Sequence, residues 1–205
     1  LLNNNMSRYF YKSIFDFSIL IIIHLVLLPV WLILWIIIPI AIWIEDRGPI
    51  FYIQTRLGKD GKEFSLYKFR SMVPNAENET GAVWAKENDD RVTKVGKFLR
   101  DRALDELPQV INLWKGDLSL VGPRPERPEI MKEILLDFPL YIERLKVKPG
   151  LTGPAQVYGR YSTAPKDKFK YDREYIDNMS IFLDIKLLII SVLYTLKAKW
   201  QKTDR

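Results

Sequence analysis

A long apolar segment near the start of the chain, residues 17–44, constrains the fold more than any other feature of the sequence. It is longer than the ~20 residues that a helix needs to cross the core of a bilayer. Only Ser18, His24, Pro29 and Pro39 interrupt it, and no small-residue cleavage site follows, which argues against a signal peptide. The segment therefore predicts association with a membrane.

The path of this segment through the membrane depends on Pro29, which lies in its middle. A proline there removes a backbone hydrogen bond and clashes with the preceding turn, so the helix should kink. Basic residues favour the cytoplasmic side, and they flank both ends: Arg8 and Lys12 before the segment, and Arg47, Arg56, Lys59 and Lys62 after it. A re-entrant helix that bends at Pro29 satisfies both ends, but a tilted single span remains the alternative.

Composition sets further limits on the chain. Its 205 residues suffice for one domain with an accessory segment, and the net charge of +6 favours anionic partners. The absence of cysteine excludes disulfides and thiolate zinc sites. We expect residues 1–5 to be a cloning remnant or read-through, residues 6–46 to form the membrane anchor, and residues 47–205 to form one domain that includes a C-terminal amphipathic helix.

The pattern after the anchor predicts a helix-rich mixed α/β fold with a small β-hairpin and interfacial amphipathic helices. Residues 49–54 and 63–72 are predicted to be strands joined by a turn at Gly58 and Gly61. Residues 148–154 form a glycine-rich loop, and residues 155–161 continue as an extended segment. The predicted helices are residues 93–102, 105–115, 130–138, 140–145, 167–178 and 181–200, of which the last is amphipathic and lies on the membrane or on the anchor.

Asp105 and Glu106 are adjacent carboxylates at the start of a predicted helix. Asp105 suits the N-cap position, and acidic residues in a first turn complement the helix dipole without any further function. The surroundings favour another interpretation, because phosphoryl transfer uses carboxylates to hold Mg²⁺ or to attack and uses cations to hold phosphate oxygens. The nearby cations are Arg91, Lys94, Lys97, Arg100, Arg102 and Arg124.

Two expectations follow from this arrangement of charges. The positive helix end and the arginines should lower the pKa of the carboxylates and keep the nucleophile ionised. Neighbouring residues cannot easily point the same way, so Asp105 and Glu106 should have different roles.

Lys68 and Arg70, at the end of the second strand, are predicted from the strand pattern alone to lie on a solvated face.

Six motifs, long and in order, resemble the bacterial sugar transferases, the monotopic phosphoglycosyl transferases that start glycan assembly on polyprenyl phosphate. The resemblance covers residues 6 to about 196 and is to the compact catalytic form of the family. The motifs are KFRSM (68–72), DRVTKVG (90–96), LDELPQ (104–109), NLWKGDLSLVGPRP (112–125), KPGLTG (148–153) and AQVYGR (155–160).

The resemblance implies roles for individual residues. Asp105 matches the nucleophile that attacks the sugar-linked phosphate of a UDP-sugar, and Glu106 matches the partner that binds Mg²⁺ together with it. Lys68, Arg100 and Arg124 match basic residues that neutralise phosphate charge, and Gln156 and Arg160 lie in the motif that helps to bind the nucleotide sugar. The implied reaction releases UMP, passes through an aspartyl phosphosugar in a ping-pong exchange, and yields a polyprenyl-diphosphate-sugar.

The resemblance also implies an anchor that enters one leaflet and bends at Pro29, where Leu28 replaces the serine common in the family. It places the enzyme at the bacterial inner membrane, facing the cytoplasm, in the first membrane step of glycoconjugate biosynthesis. The implied partners are a UDP-sugar, polyprenyl (undecaprenyl) phosphate and membrane lipids; nucleic acid is not expected, because acids interrupt the basic residues. The alternatives are a membrane-bound glycosyltransferase that releases UDP and a non-enzymatic basic scaffold. The sugar and the oligomeric state, monomer or homodimer, stay open.

Overall fold

The computed structural model describes residues 2–77, 81, 89–159 and 163–200, with the backbone alone for residues 2–10. The architecture is helix-rich and mixed α/β, as predicted. In chain order the elements are α1 (Leu2–Asp46), β1 (Phe51–Leu57), β2 (Glu63–Phe69), α2 (Lys94–Asp101), a 3₁₀ helix (Leu104–Gln109), α3 (Val110–Lys115), β3 (Ser119–Val121), α4 (Pro128–Asp137), a second 3₁₀ helix (Pro139–Lys146), β4 (Gly150–Thr152), α5 (Pro154–Val157), α6 (Pro165–Asn178) and α7 (Ile181–Leu196).

Helix α1 contains both Pro29 and Pro39 in its interior. Within the described chain, only its portion Tyr11–Asp46 is long and apolar enough to cross a membrane. The middle of the helix is exposed, and Leu25 and Val26 retain 73% and 70% of their accessible surface. An exposed apolar surface of this kind is typical of a helix that contacts lipid. The bend at Pro29 stays a prediction.

The first arm of α1, the part before Pro29, packs on the C-terminal helix α7 through a buried polar contact. Lys12 donates to Asp184 on α7 across 2.7 Å, and Ser119 at the start of β3 donates to Asp16 across 2.6 Å. Leu20 joins a buried cluster with residues of α3 and α7 that include Leu187. The first arm is therefore held to the body of the protein by both apolar packing and charge.

The second arm of α1, the part after Pro29, packs on β2 and α2. Ile38 and Ile42 form a buried cluster with Phe69 on β2 and Leu99 on α2. The carboxylate of Glu45 accepts from the backbone N–H of Lys94, at 2.7 Å, in the first turn of α2. Both arms thus contact the portion of the chain that follows the anchor.

Strands β1 and β2 form the predicted hairpin, and its two faces differ in chemistry. The pairing is antiparallel, with Tyr52 opposite Lys68, so these side chains share one face. On the other face, Phe51 stacks on Phe69 and both rings contact Trp35 of α1, with the Trp35 and Phe69 rings 5.4 Å apart. The face that carries Phe51 and Phe69 therefore packs on α1, and Tyr52 and Lys68 lie on the opposite face.

The solvated-face prediction for Arg70 was wrong. Its guanidinium is buried against the end of α1, where it donates to both carboxylate oxygens of Asp46 and to the carbonyl of Pro49. Strand periodicity could not show this, because the partner lies at the end of another element.

Strands β3 and β4 form a parallel pair that the sequence analysis missed. Residues 148–154 were predicted as a loop, but Gly150–Thr152 pairs with Ser119–Val121. The backbones approach so closely that a Cβ atom on Gly150 would lie 2.1 Å from the nitrogen of Gly122. The loop therefore holds the 122–125 turn by direct backbone contact.

Both C-terminal helices were predicted, although α6 begins at Pro165 and α7 ends at Leu196 rather than at residue 200, but the predicted extended segment was wrong. Residues 154–157 form α5, because Pro154 has the backbone angle of a first helical residue; residues 160 and 161 lie outside the described part. In α7, Asp184 is buried while Phe182 is 85% exposed. Leu187 is also completely buried, but several large apolar side chains of α7, among them Phe182 and Leu196, are exposed, as on a surface that faces lipid rather than water.

Candidate active site

The two carboxylates lie in the 3₁₀ helix Leu104–Gln109, directly after α2. Ala103 joins these helices in a left-handed conformation with φ of 54° and is the residue that caps the 3₁₀ helix. The prediction of Asp105 as N-cap was therefore wrong, since Asp105 is already inside the helix. The predicted single helix 105–115 is a 3₁₀ helix followed by α3.

Glu106 is held by two cations from distant parts of the chain. Lys68 on β2 and Arg124 in the 122–125 turn each donate to Glu106 Oε1 at 2.8 Å. The solvated-face prediction for Lys68 was therefore wrong, because its side chain is mostly buried in this ion pair. The structure brings Lys68, Glu106 and Arg124 together, as expected for residues that act in one site.

Asp105 differs from Glu106 in its partners. It is only 7% exposed, yet its carboxylate accepts no hydrogen bond from any residue that the structure describes. A buried carboxylate is nearly always hydrogen-bonded, so an unbonded one indicates a functional constraint. Its contacts therefore leave the carboxylate available to react with a ligand.

The pKa values of the two carboxylates move in opposite directions. Burial raises the pKa of Asp105, and the negative charge of Glu106 raises it further, although Lys68 and Arg100 oppose this shift. Burial alone would also raise the pKa of Glu106, but Arg124 and Lys68 outweigh it and hold that pKa well below its ordinary range. The expected lowering is thus correct for Glu106 and wrong for Asp105. Opposite shifts of adjacent carboxylates are typical of groups with separate chemical roles.

The remaining predicted site residues are Arg100, Gln156 and Arg160, and they do not all lie at the two carboxylates. Arg100, on α2, is near enough to Asp105 to lower its pKa. Gln156 lies on α5, where its Nε2 donates to the carbonyl of Leu151 at 3.3 Å, and it makes no hydrogen bond to Asp105 or Glu106. Arg160 lies outside the described residues.

Sequence reasoning missed Arg144, which supports the site from behind. Its Nη2 donates to the carbonyl of Arg124 at 2.9 Å, and its Nε donates to the buried Asp172 at 2.7 Å. Tyr141 and Glu126 complete this buried cluster. No sequence signal could have found it, because its charged members lie far apart in the chain and belong to no recognisable motif.

Asp105 and Glu106 can be compared with the needs of a magnesium site. Within the described ranges, no group of three or more His, Cys, Asp or Glu side chains lies close enough to hold a metal. Mg²⁺ does not require such a group, because it commonly binds one or two carboxylates and takes its other ligands from substrate phosphates and water. Two adjacent carboxylates surrounded by phosphate-binding cations fit that pattern.

Comparison with known proteins gives a consistent result over nearly the whole chain. A family model described as bacterial sugar transferase matches residues 7–198. The match contains every motif on which the resemblance was stated and all seven predicted site residues.

Three relatives illustrate the range of similar proteins. A UDP-N-acetylgalactosamine-undecaprenyl-phosphate N-acetylgalactosaminephosphotransferase of Aeromonas hydrophila is 38% identical, over 84% of this chain and 41% of the relative. A UDP-glucose:undecaprenyl-phosphate glucose-1-phosphate transferase of Klebsiella pneumoniae is 40% identical, over 89% of this chain and 39% of the relative. An uncharacterised sugar transferase of Bacillus subtilis is 44% identical, over 71% of this chain and 69% of its own length. The chain thus spans about two fifths of the first two relatives.

Proposed function

The chain belongs to the bacterial sugar transferase family, and from this membership we propose that it transfers a phosphosugar from a UDP-sugar to polyprenyl phosphate. The observation that carries the proposal is the difference between the two adjacent carboxylates. Asp105 is buried without a hydrogen bond from a described residue, and Glu106 is fixed by Lys68 and Arg124. Such a pair offers one group that can react and one that stays in place.

In the first step, an oxygen of Asp105 attacks the sugar-linked phosphorus of the UDP-sugar. The bond from this phosphorus to the bridging oxygen breaks, and UMP leaves with that oxygen. The carboxylate must be ionised to attack, so cations have to offset the raised pKa of Asp105 when substrate is bound. Lys68 and Arg100 already act in that direction.

In the second step, a phosphate oxygen of polyprenyl phosphate attacks the phosphorus of the aspartyl phosphosugar. The bond to Asp105 breaks, the carboxylate is regenerated, and the product is a polyprenyl-diphosphate-sugar. Because UMP leaves before the lipid reacts, the exchange is ping-pong. We propose that this is the first membrane step of bacterial glycoconjugate assembly.

The other site residues take roles that their positions support. Lys68, Arg100 and Arg124 neutralise charge on the phosphates, and we propose that Gln156 and Arg160 help to bind the nucleotide sugar. Glu106, with Asp105, would hold Mg²⁺, which supplies positive charge to the phosphate that is transferred.

We propose that α1 is a re-entrant anchor, bent at Pro29, on the cytoplasmic face of the inner membrane. Two observations support this arrangement. Lys12 in the first arm and Glu45 in the second arm both contact the body of the protein, and the residues between the arms are exposed and apolar. A straight span would carry one arm away to the opposite face of the bilayer. An anchor in one leaflet lets a single site meet a water-soluble nucleotide sugar and a lipid-bound acceptor.

Labelling of single cysteines should place both ends of α1 on the same side of the membrane. The chain has no cysteine, so Ser7→Cys and Lys62→Cys each introduce a unique thiol. Both should react with a membrane-impermeant maleimide in inside-out vesicles and stay unreactive in right-side-out vesicles. Val30→Cys serves as the control for a lipid-buried position and should react in neither. Opposite accessibility of the two outer positions would show a true span.

Incubation of the purified protein with a UDP-sugar and Mg²⁺, without lipid acceptor, should release about one UMP per active site. Addition of polyprenyl phosphate should then start continuous UMP release, and EDTA should stop both phases. The reason is that the first half-reaction transfers the phosphosugar to the enzyme and needs no lipid acceptor. Release of UDP instead of UMP would identify a glycosyltransferase. A panel of UDP-sugars in the same assay identifies the sugar.

A further inference from the structure

Arg56 is a partly buried cation on β1, on the face of the hairpin that also carries Lys68. Its Nη1 donates to the carbonyl of Pro125 at 2.9 Å, and its Nη2 donates to the side-chain carbonyl of Gln54. Both acceptors are neutral. Among the residues that the structure describes, no carboxylate lies within ion-pair distance of Arg56, and its buried Nε has no hydrogen-bond partner.

The charges around Arg56 make this lack of a carboxylate partner more costly. Burial, together with the positive charges of Arg124 and Arg127, lowers its pKa to about 10. Those two neighbours already have carboxylate partners, since Arg124 pairs with Glu106 and Arg127 pairs with Glu77 at 2.9 Å. Arg56 is therefore the member of this basic group whose charge is not balanced by an ion pair.

Glu126 is the carboxylate neighbour whose charge most favours the charged form of Arg56. Its carboxylate is already used elsewhere, because Tyr141 donates to it at 3.1 Å and Arg144 lies 3.5 Å away. It therefore cannot act as a dedicated partner. A buried guanidinium among other cations is unfavourable unless an anion completes the arrangement.

We propose that Arg56 is a phosphate-binding residue, and that with Arg124 and Arg127 it forms a subsite for a phosphate group of the substrate beside Glu106. The guanidinium has a planar set of donors that fits phosphate oxygens in a bidentate manner. The inference rests on the proposed function, because it assigns a further residue to the same site. The phosphate belongs either to the diphosphate of the nucleotide sugar or to the lipid acceptor, and kinetics distinguish the two.

A purely structural role for Arg56 is the competing explanation, because its bond to the carbonyl of Pro125 also holds the 122–125 turn. That role predicts that loss of Arg56 lowers the melting temperature of the protein. The proposed role predicts a loss of anion binding in a variant that stays folded, and partial rescue by lysine, which keeps the charge without the bidentate geometry.

The first test uses inorganic pyrophosphate as the probe, with calorimetric titration of the full chain in detergent at low salt. Arg56→Gln should weaken binding at least ~10-fold, and Arg56→Lys should weaken it less. Arg173→Gln is the matched control, since Arg173 is an exposed arginine on α6 that pairs with Asp177, and it should leave binding unchanged. Unchanged binding in Arg56→Gln would overturn the proposal, and so would weaker binding that merely follows a lower melting temperature.

The second test needs no variant and so does not depend on folding. The wild-type protein is treated with phenylglyoxal, with and without pyrophosphate, and modified arginines are located by mass spectrometry. Pyrophosphate should protect Arg56 but not Arg173, and equal modification of Arg56 in both samples would refute the subsite. Neither test requires turnover, so UMP release can fail while the subsite stands. The source of the phosphate is assigned by the turnover kinetics of Arg56→Gln. A raised KM for UDP-sugar assigns the subsite to the diphosphate, and a raised KM for polyprenyl phosphate assigns it to the lipid.

Discussion

Replacement of Asp105 by Asn should abolish turnover, with a loss of at least ~10³-fold in kcat, and leave the protein folded. The change removes the proposed nucleophile and keeps the shape of the side chain. Because Asp105 is buried and accepts no hydrogen bond from a described residue, the change removes no hydrogen bond within the described part of the protein. Burial disfavours the charged carboxylate, so the neutral amide should keep or slightly raise the melting temperature.

The measurement is UMP release by the purified variant, together with its thermal melting curve. Asp101→Asn is the matched control, since Asp101 lies on the neighbouring helix α2 and makes an exposed ion pair with Lys97. This control should retain most of the activity. A folded Asp105→Asn protein that retained substantial activity would exclude Asp105 as the nucleophile.

Replacement of Arg144 by Ala should cause the largest loss of stability, about 3–5 kcal/mol in the free energy of unfolding. Arg144 donates to Asp172, which is completely buried, and to Tyr141. Without Arg144, Asp172 and Glu126 remain as buried carboxylates with their cation removed. For a chain of this size, such a loss corresponds to a decrease of about 6–20 °C in the melting temperature.

Thermal or denaturant unfolding checks this prediction, with Arg173→Ala as the control for an exposed arginine. The control should leave the stability nearly unchanged, because exposed ion pairs contribute little. Activity measured below the unfolding transition should also fall in Arg144→Ala, since Arg144 holds the carbonyl of Arg124. A variant as stable as the control would show that the buried cluster does not stabilise the fold.

Several elements were predictable because their signals are local. The hairpin follows from alternation around Gly58 and Gly61, and α2 follows from its apolar spacing after the capping residue Thr93. The pair β3–β4 was missed because its strands have three residues each and depend on the close approach of Gly122 and Gly150. Such contacts leave no periodic pattern in the sequence.

By itself, the sequence determined the long apolar helix, the helix-rich α/β class and the family, and its motifs included Lys68, Glu106 and Arg124, which the structure brings together. These conclusions depend on composition, local spacing and contiguous motifs. Only the tertiary structure decided in which direction the pKa of each carboxylate is shifted. It places Arg124 and Lys68 against Glu106, where they hold its pKa below the ordinary range, while burial raises the pKa of Asp105.

The same distinction applies to Arg56 and Arg144, which appear in the sequence as ordinary basic residues. Their surroundings come from distant parts of the chain: Arg56 lies beside Arg124 and Arg127, and Arg144 donates to Asp172 and to the carbonyl of Arg124. The physical reason is that desolvation and charge pairing depend on which groups lie within a few ångströms of one another. Folding determines that proximity, and it cannot be derived from the spacing of residues along the chain.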